Sequence, residues 1–257
     1  MFLERISNSK RETWNQCRLK YKYKYVHFYE PFDEGSGDAM AFGSFIHRIL
    51  ELGVEAKDLE TLQQIGEQVR GNYKFDKSYD KKTDVCLRNF LRFNAQLCEA
   101  GQTEAWFNNE VEPGMVSHGV IDRCVQGREG GLLVIDYKTS KREKTKMELY
   151  QDKQGQTYVD AKSKETGIPV ERITFGHYYP LTNNFVTVKY TRPQILKNRK
   201  EIIRDGWNIR KAKTDDLIPM ENQFCNWCQY KSGCSIHSPQ PLIEETLKHA
   251  KRQPKKT

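Results

Sequence analysis

Residues 116–139 read VSHGVIDRCVQGREGGLLVIDYKT. Two apolar runs, 116–125 and 132–139, flank the Gly-rich segment QGREGG, which predicts a β-hairpin. Side chains alternate along a strand, so Asp136 and Lys138 share one face while Ile135 and Tyr137 point the other way. Asp122 joins the Asp136 face only if its partner on the second strand has an even number. The simplest register sets Asp122 opposite Asp136 and Val120 opposite Lys138. Directly opposed Cβ atoms lie ~4.5–5.5 Å apart, and two carboxylates so placed repel. A divalent cation between them removes that penalty, and hard oxygen ligands suit Mg²⁺ or Mn²⁺. The plainer alternative is a solvated surface hairpin with one cross-strand ion pair.

Around this hairpin the pattern is mixed. A basic, aromatic helix is expected from near Ser9 to just before Pro31, then a loop over 32–40 and a second helix over about 43–55. Residues 57–100 read as two polar helices split near 72–79. A strand over 104–112 precedes the hairpin, a helix over about 148–165 follows it, and strands fit ITFGHYYPL and FVTVKYT. A long polar helix covers about 193–211. This order predicts an α/β core with a mixed sheet flanked by helices. The chain reads as a single domain over 1–246, with 57–100 as a helical insertion and 247–257 as a basic tail.

The chain has 257 residues and a formal net charge of +8, a balance that favours polyanionic partners, nucleic acid first. No run approaches the ~18 apolar residues of a membrane span. The start, MFLERISNSKRETW, lacks the apolar region of a signal peptide. A cytoplasmic location and no membrane partner are the expectation. In a reducing compartment the seven cysteines point to metal or reactive roles before disulfides. Cys225 and Cys228 form a C-x2-C ligand loop, Cys234 follows closely, and Cys17 is the best fourth ligand. Zn²⁺ on these four thiolates is an open alternative, with His237 a competing ligand. Cys86, Cys98 and Cys124 lack motif spacing.

Four short motifs stand in order: Gly43-SFI-His47, Gly119-VI-Asp122-Arg123, Asp136-Tyr137-Lys138 and Gln154-GQT-Tyr158. In this the chain resembles the RecB/AddB branch of the PD-(D/E)XK nucleases, including CRISPR-associated RecB-like and phage exonucleases, over about residues 9–240. The resemblance implies a restriction-endonuclease-like core. It implies that Asp122, Asp136, His47 and the Tyr137 carbonyl hold Mg²⁺ or Mn²⁺. Lys138 would orient the attacking water and stabilise charge on phosphate, with Gln154 and Tyr158 beside it on one helix face. Glu110, or equally Glu112, is a further candidate to support the cation. One cysteine upstream and three downstream match the iron–sulfur branch, which implies a [4Fe–4S] cluster on Cys17, Cys225, Cys228 and Cys234. That cluster would join 1–31 to 220–240.

The segment from Arg18 to Tyr25 interleaves lysine and tyrosine, so Lys20, Tyr21 and Lys22 are candidates for phosphate contact and base stacking; the plainer alternative is an amphipathic helix with buried tyrosines and solvated lysines. Arg142 and Lys144 form a second candidate patch. The implied activity is a metal-dependent DNA exonuclease acting on ends or single strands in a bacterial, archaeal or phage-infected cell. A protein partner in a recombination, repair or CRISPR-type complex goes with it. The rival is a non-catalytic iron–sulfur scaffold that binds DNA. The sequence contains no G-x4-G-K-[ST] motif, hence no P-loop motor within it.

Overall fold

The hairpin turns through Glu129 and Gly130, both at positive φ (58° and 73°), and Gly127 N–H closes it on the Gly131 carbonyl at 2.8 Å. In the computed structural model, which describes residues 4–33 and 37–238, this hairpin sits in the middle of one six-stranded sheet. The elements run β1 (Glu4–Ile6), α1 (Asn8–Gln16), α2 (Arg18–Tyr21), a π-turn (Lys22–Val26), α3 (Gly37–Leu52), α4 (Leu59–Arg70) and α5 (Asp80–Asn94). They continue as β2 (Gln102–Glu112), β3 (Met115–Gln126), β4 (Leu132–Tyr137), α6 (Lys146–Tyr150), α7 (Lys153–Thr166), β5 (Ile173–Tyr179), β6 (Asn184–Lys189) and α8 (Arg192–Lys211). Strand β3 is antiparallel to β2 and β4, β4 is parallel to β5, and β5 is antiparallel to β6. The sheet is therefore mixed, as expected.

Strand β3 decides where the site lies. Along one edge it pairs with β2 for nearly its whole length. Along the other, β1 takes residues 115–117 and β4 takes 123–126, which leaves 118–122 without a strand partner on that side. The β3–β4 ladder has the expected register, Arg123 opposite Ile135, and stops there. One further step in that register sets Asp122 against Asp136, at the point where the two strands part.

Helices cover both faces of the sheet. On one face α3, α4 and α5 bury Phe45, Ile49, Leu62 and Phe90 with Ile135, Tyr137 and Tyr178. On the other, Val159 of α7 and Ile195 of α8 pack with Phe107, Ile121, Val134 and Phe175. The 57–100 region thus forms a wall of the main core. Its helices look polar because only a narrow stripe of each faces inward. Further corrections are local. The N-terminal helix breaks at Cys17, an extended residue between α1 and α2 (φ −162°, ψ 122°). Helix α3 starts at Gly37, inside the expected loop. The helix over 148–165 is two, because Asp152 starts α7 by accepting the Gly155 N–H. Strand β1 has three residues, too few to carry a usable alternation. The basic tail lies outside the described residues. Among those described, no helix is long and apolar enough to cross a membrane.

A buried ionic network ties the chain's start to α8. Arg11 Nε donates to Asp205 Oδ2 at 2.7 Å, while its other nitrogens reach Asn198 and Glu201. The Arg11 and Asp205 side chains are only 8% and 2% exposed. Burial alone would raise the Asp205 carboxyl, but hydrogen bonds from Arg11, Asn15 and Arg204 outweigh it and hold the group below its ordinary value of 3.8. Its stabilising contribution is therefore present above that value and is lost as pH falls through the lower folded-state pKa. Removing the carboxylate strips Arg11 of its closest and best-buried ion pair and leaves the more exposed Glu201 as its anionic partner. We predict that Asp205→Ala costs about 3–5 kcal/mol in urea unfolding at neutral pH, and less in acid.

Candidate functional site

Asp136 is buried at the heart of the site, with a side chain 4% exposed. The alternation of β4 puts Val134 and Asp136 on the α7 face and Ile135 and Tyr137 on the α3 face. Lys138 Nζ lies 2.6 Å from Asp136 Oδ2, yet that oxygen has no partner in good hydrogen-bond geometry. Burial pushes the Asp136 carboxyl up, Lys138 opposes that shift, and the Asp122 charge adds to it. Burial would lower the Lys138 ammonium, but Asp136 outweighs it and raises the group instead. Both effects follow from placing two carboxylates and one amine in a half-closed cleft.

Asp122 is fixed from two sides. Its Oδ2 accepts the Tyr137 N–H at 2.6 Å, just past the end of the β3–β4 ladder. A side chain thus meets a backbone donor that strand pairing has left behind. Its Oδ1 lies 3.5 Å from His47 Nδ1. Burial would lower the His47 imidazole, but contact with Asp122 raises it overall. His47 can stand there because Gly43, one turn earlier on α3, lets the helix pass close to the end of β4. A Cβ on Gly43 would sit 3.0 Å from Thr139 Oγ1. Lys138 Nζ also donates to Gln154 Oε1 at 3.3 Å, and Gln154 Nε2 donates to the Tyr158 hydroxyl at 2.7 Å. All four sequence motifs therefore converge on one cleft.

Three groups at this cleft are not evident from the sequence. Glu104 is the residue of β2 that the β2–β3 register sets against Asp122, and its φ of 46° interrupts the ladder there. Burial, then Asp122, raises its carboxyl. It shares a cavity of about 310 Å³ with His47 and Glu51. The expected Glu110 and Glu112 lie elsewhere: Glu110 accepts the Gly114 N–H, and Glu112 accepts the Trp207 indole N–H. His177 on β5 pairs with Asp136 across parallel strands. Asp152 takes an ion pair from Lys144. A negative residue opposite a motif aspartate, on the strand before it, is the one signal that could have found Glu104.

The four cysteines Cys17, Cys225, Cys228 and Cys234 line one small cavity of about 30 Å³, together with Lys20 and His237. Backbone N–H groups of Met220 and Asn222 point at Cys17 Sγ (3.5 Å) and Cys225 Sγ (3.3 Å). Burial raises the Cys228 thiol, and Cys17 and Cys234 lie near enough to add to it. Direct contacts also hold the region together. Asn222 Nδ2 donates to the Gln16 carbonyl, Leu19 N–H to the Ile218 carbonyl, and the Tyr230 hydroxyl to the Tyr29 carbonyl. Among the described residues, no three His, Cys, Asp or Glu side chains meet closely enough to hold a single ion.

The basic segment needs one correction. Tyr21 is 5% exposed, packed edge-on against Trp14 and beside Leu217, so it offers no face to a base. Lys20 donates to Gln16 beside the cysteine cavity, and Lys22 is half-buried. Arg142 and Lys144 are ion-paired with Glu148 and Asp152.

A model of the PD-(D/E)XK nuclease superfamily matches residues 5–235. Two Streptococcus agalactiae proteins, from serotypes Ia and V, are 23% identical to this chain over 195 residues; each is one of the subunits of an ATP-dependent helicase/deoxyribonuclease. That match covers 68% of this chain but 18% of those relatives. The solved structure of a Eubacterium rectale protein, provisionally named an exonuclease, has a TM-score of 0.59 at 16% identity, covering 95% of this chain and 92% of that one. At that identity the likeness speaks for the fold alone.

Helix α7 owes its closeness to Gly155. A Cβ there would lie 2.4 Å from both the Phe175 ring and the Tyr190 hydroxyl. Alanine gains about 1 kcal/mol of helix propensity, but overpacking costs about 1–3 kcal/mol. We predict that Gly155→Ala lowers the melting temperature and weakens any activity that depends on Gln154.

Proposed function

The chain belongs to the PD-(D/E)XK nuclease superfamily, and on that footing we propose that it is a metal-dependent DNA exonuclease acting on ends or single strands. The observation that carries this reading is the Lys138–Asp136 pair, 2.6 Å apart, beside Asp122 where two strands part. In donor chemistry the set suits a hard cation, around which Asp122, Asp136 and His47 would have to draw together. Asp136 Oδ2 is buried and lacks a hydrogen-bond partner. Asp122 and His47 stand alongside, and the Tyr137 carbonyl is a further oxygen. These residues would hold Mg²⁺ or Mn²⁺, which when bound supplies Lewis-acid polarisation of the phosphodiester and a more acidic water.

The chain's own groups do the rest. Lys138 places an ammonium where negative charge grows on the phosphate. Gln154, tied to Tyr158, keeps that amine at the mouth of the cleft. Lys20, Lys22, Arg142 and Lys144 supply backbone phosphate contacts, and a phosphate would compete with Glu148 and Asp152 for the last two. Action from ends and work inside a larger DNA-processing assembly are inferred from what these relatives are named for.

The cysteine cavity we assign to a [4Fe–4S] cluster on Cys17, Cys225, Cys228 and Cys234. The four thiols line a cavity instead of meeting at one point, and N–H groups already aim at two sulfurs. This suits a polynuclear cluster better than one zinc ion.

Two measurements test these readings. With Mn²⁺ or Mg²⁺, linear single-stranded DNA should be degraded while the closed circle survives, and Asp136→Ala should reduce cleavage to background while still melting cooperatively. Binding without cleavage by the unaltered protein would indicate a scaffold instead. Anaerobically purified protein should be brown, with iron and sulfide near four each per chain. Colourless, zinc-loaded protein would overturn the cluster.

A further inference from the structure

His177 stands against the catalytic carboxylate and has no part in the mechanism above. Its side chain is 0% exposed, and its Nε2 lies 3.6 Å from Asp136 Oδ2. Neither atom has a hydrogen-bond partner. On the far side of the ring, Nδ1 is 3.3 Å from the Tyr179 hydroxyl. That hydroxyl already accepts the Lys144 backbone N–H at 2.8 Å. The phenol proton is therefore left to donate, and Nδ1 is the acceptor within reach. The fully buried ring has the Asp136 carboxylate against one nitrogen and the Tyr179 hydroxyl against the other, so a single ring proton satisfies both sides. With Nδ1 accepting, that proton sits on Nε2, aimed at Asp136. A backbone N–H six residues after Lys138 thus favours the Nε2–H tautomer.

Resting on the nuclease reading, we propose that His177 is a positioning residue that takes over Asp136 Oδ2 from Lys138. Lys138 Nζ lies between Asp136 Oδ2 at 2.6 Å and Gln154 Oε1 at 3.3 Å. An ammonium held on its neighbour's carboxylate cannot serve a phosphate. Once Nε2–H closes the remaining gap to Oδ2, the second Asp136 oxygen stays open to the cation, and Lys138 can turn along Gln154 toward substrate. A neutral donor suits this place. It satisfies the carboxylate without setting another positive charge against the divalent ion, and it fixes the carboxylate's orientation.

The test has two independent readouts. The first is histidine ¹⁵N NMR of the metal-free protein at neutral pH, with the His177 signals identified by their loss in His177→Gln. The expected result is a proton on Nε2 and none on Nδ1, with the ratio disturbed in Tyr179→Phe. An Nδ1–H tautomer in the unaltered protein overturns the proposal. The second is the half-saturating Mn²⁺ or Mg²⁺ concentration for cleavage, in variants whose melting temperatures have been compared. His177→Phe should raise it about 10–100-fold. His177→Gln, whose amide can donate from nearly the same place, should restore it. An unchanged half-saturating concentration in His177→Phe overturns the role. Unaltered protein that cleaves no DNA with either ion instead removes the nuclease reading, and this role with it, whatever the tautomer.

Discussion

The structure depends on one interruption, the stretch of β3 between the end of its pairing with β1 and the start of its pairing with β4. A continuous ladder would cover residues 118–122 with another strand and leave no cleft. Because the strands part after Arg123, the Tyr137 N–H turns to Asp122, and a carboxylate takes a fixed position at the edge of the core. Asp136 follows from the alternation of β4, and Lys138 from two residues of chain. Helices α3 and α7 then deliver His47 from one face and Gln154 from the other. Two glycines in these motifs have a spatial reason: Gly43 against Thr139, Gly155 against Phe175.

Much of this was legible in the sequence. Hydrophobic alternation in 132–137 and its partner 116–125 fixes a register, since a slip of one residue would turn Asp136 into the α3–α5 core. The motif spacing carried His47, Gln154 and Tyr158 to the same cleft. What stayed hidden depends on backbone detail or on long-range packing. Glu104 sits in an ordinary-looking strand, set against Asp122 by the β2–β3 register with a positive φ that the sequence does not announce. His177 in ITFGHYY reads as a core histidine until β4 lies beside β5. Tyr21 alternates with lysines like a stacking platform, but the helical turn packs it on Trp14. The 57–100 helices look dispensable by polarity and yet supply Leu62 and Phe90 to the main core.

The cysteine region is a second place where distant segments meet. Phe32 N–H bonds to the Gln229 carbonyl, the Tyr230 hydroxyl to the Tyr29 carbonyl, and the Asn222 amide to the Gln16 carbonyl. These contacts, with the Trp14–Tyr21–Leu217 cluster, align the two ends before any cofactor contributes. A cluster held there would constrain a very long loop in the unfolded chain, and so add stability mostly by limiting that state. The Arg11–Asp205 pair performs a parallel task nearer the sheet, where α1 crosses α8.

The central claim is that one divalent ion is held between the carboxylates of Asp122 and Asp136, with Lys138 displaced toward Gln154. Crystals soaked in Mn²⁺ and measured at the manganese edge test this directly. The expected result is an anomalous peak bounded by Asp122, Asp136 and His47, with Lys138 Nζ moved off Asp136 Oδ2. Ordered carboxylates with no peak between them at saturating Mn²⁺, and Lys138 still on Asp136, would contradict it.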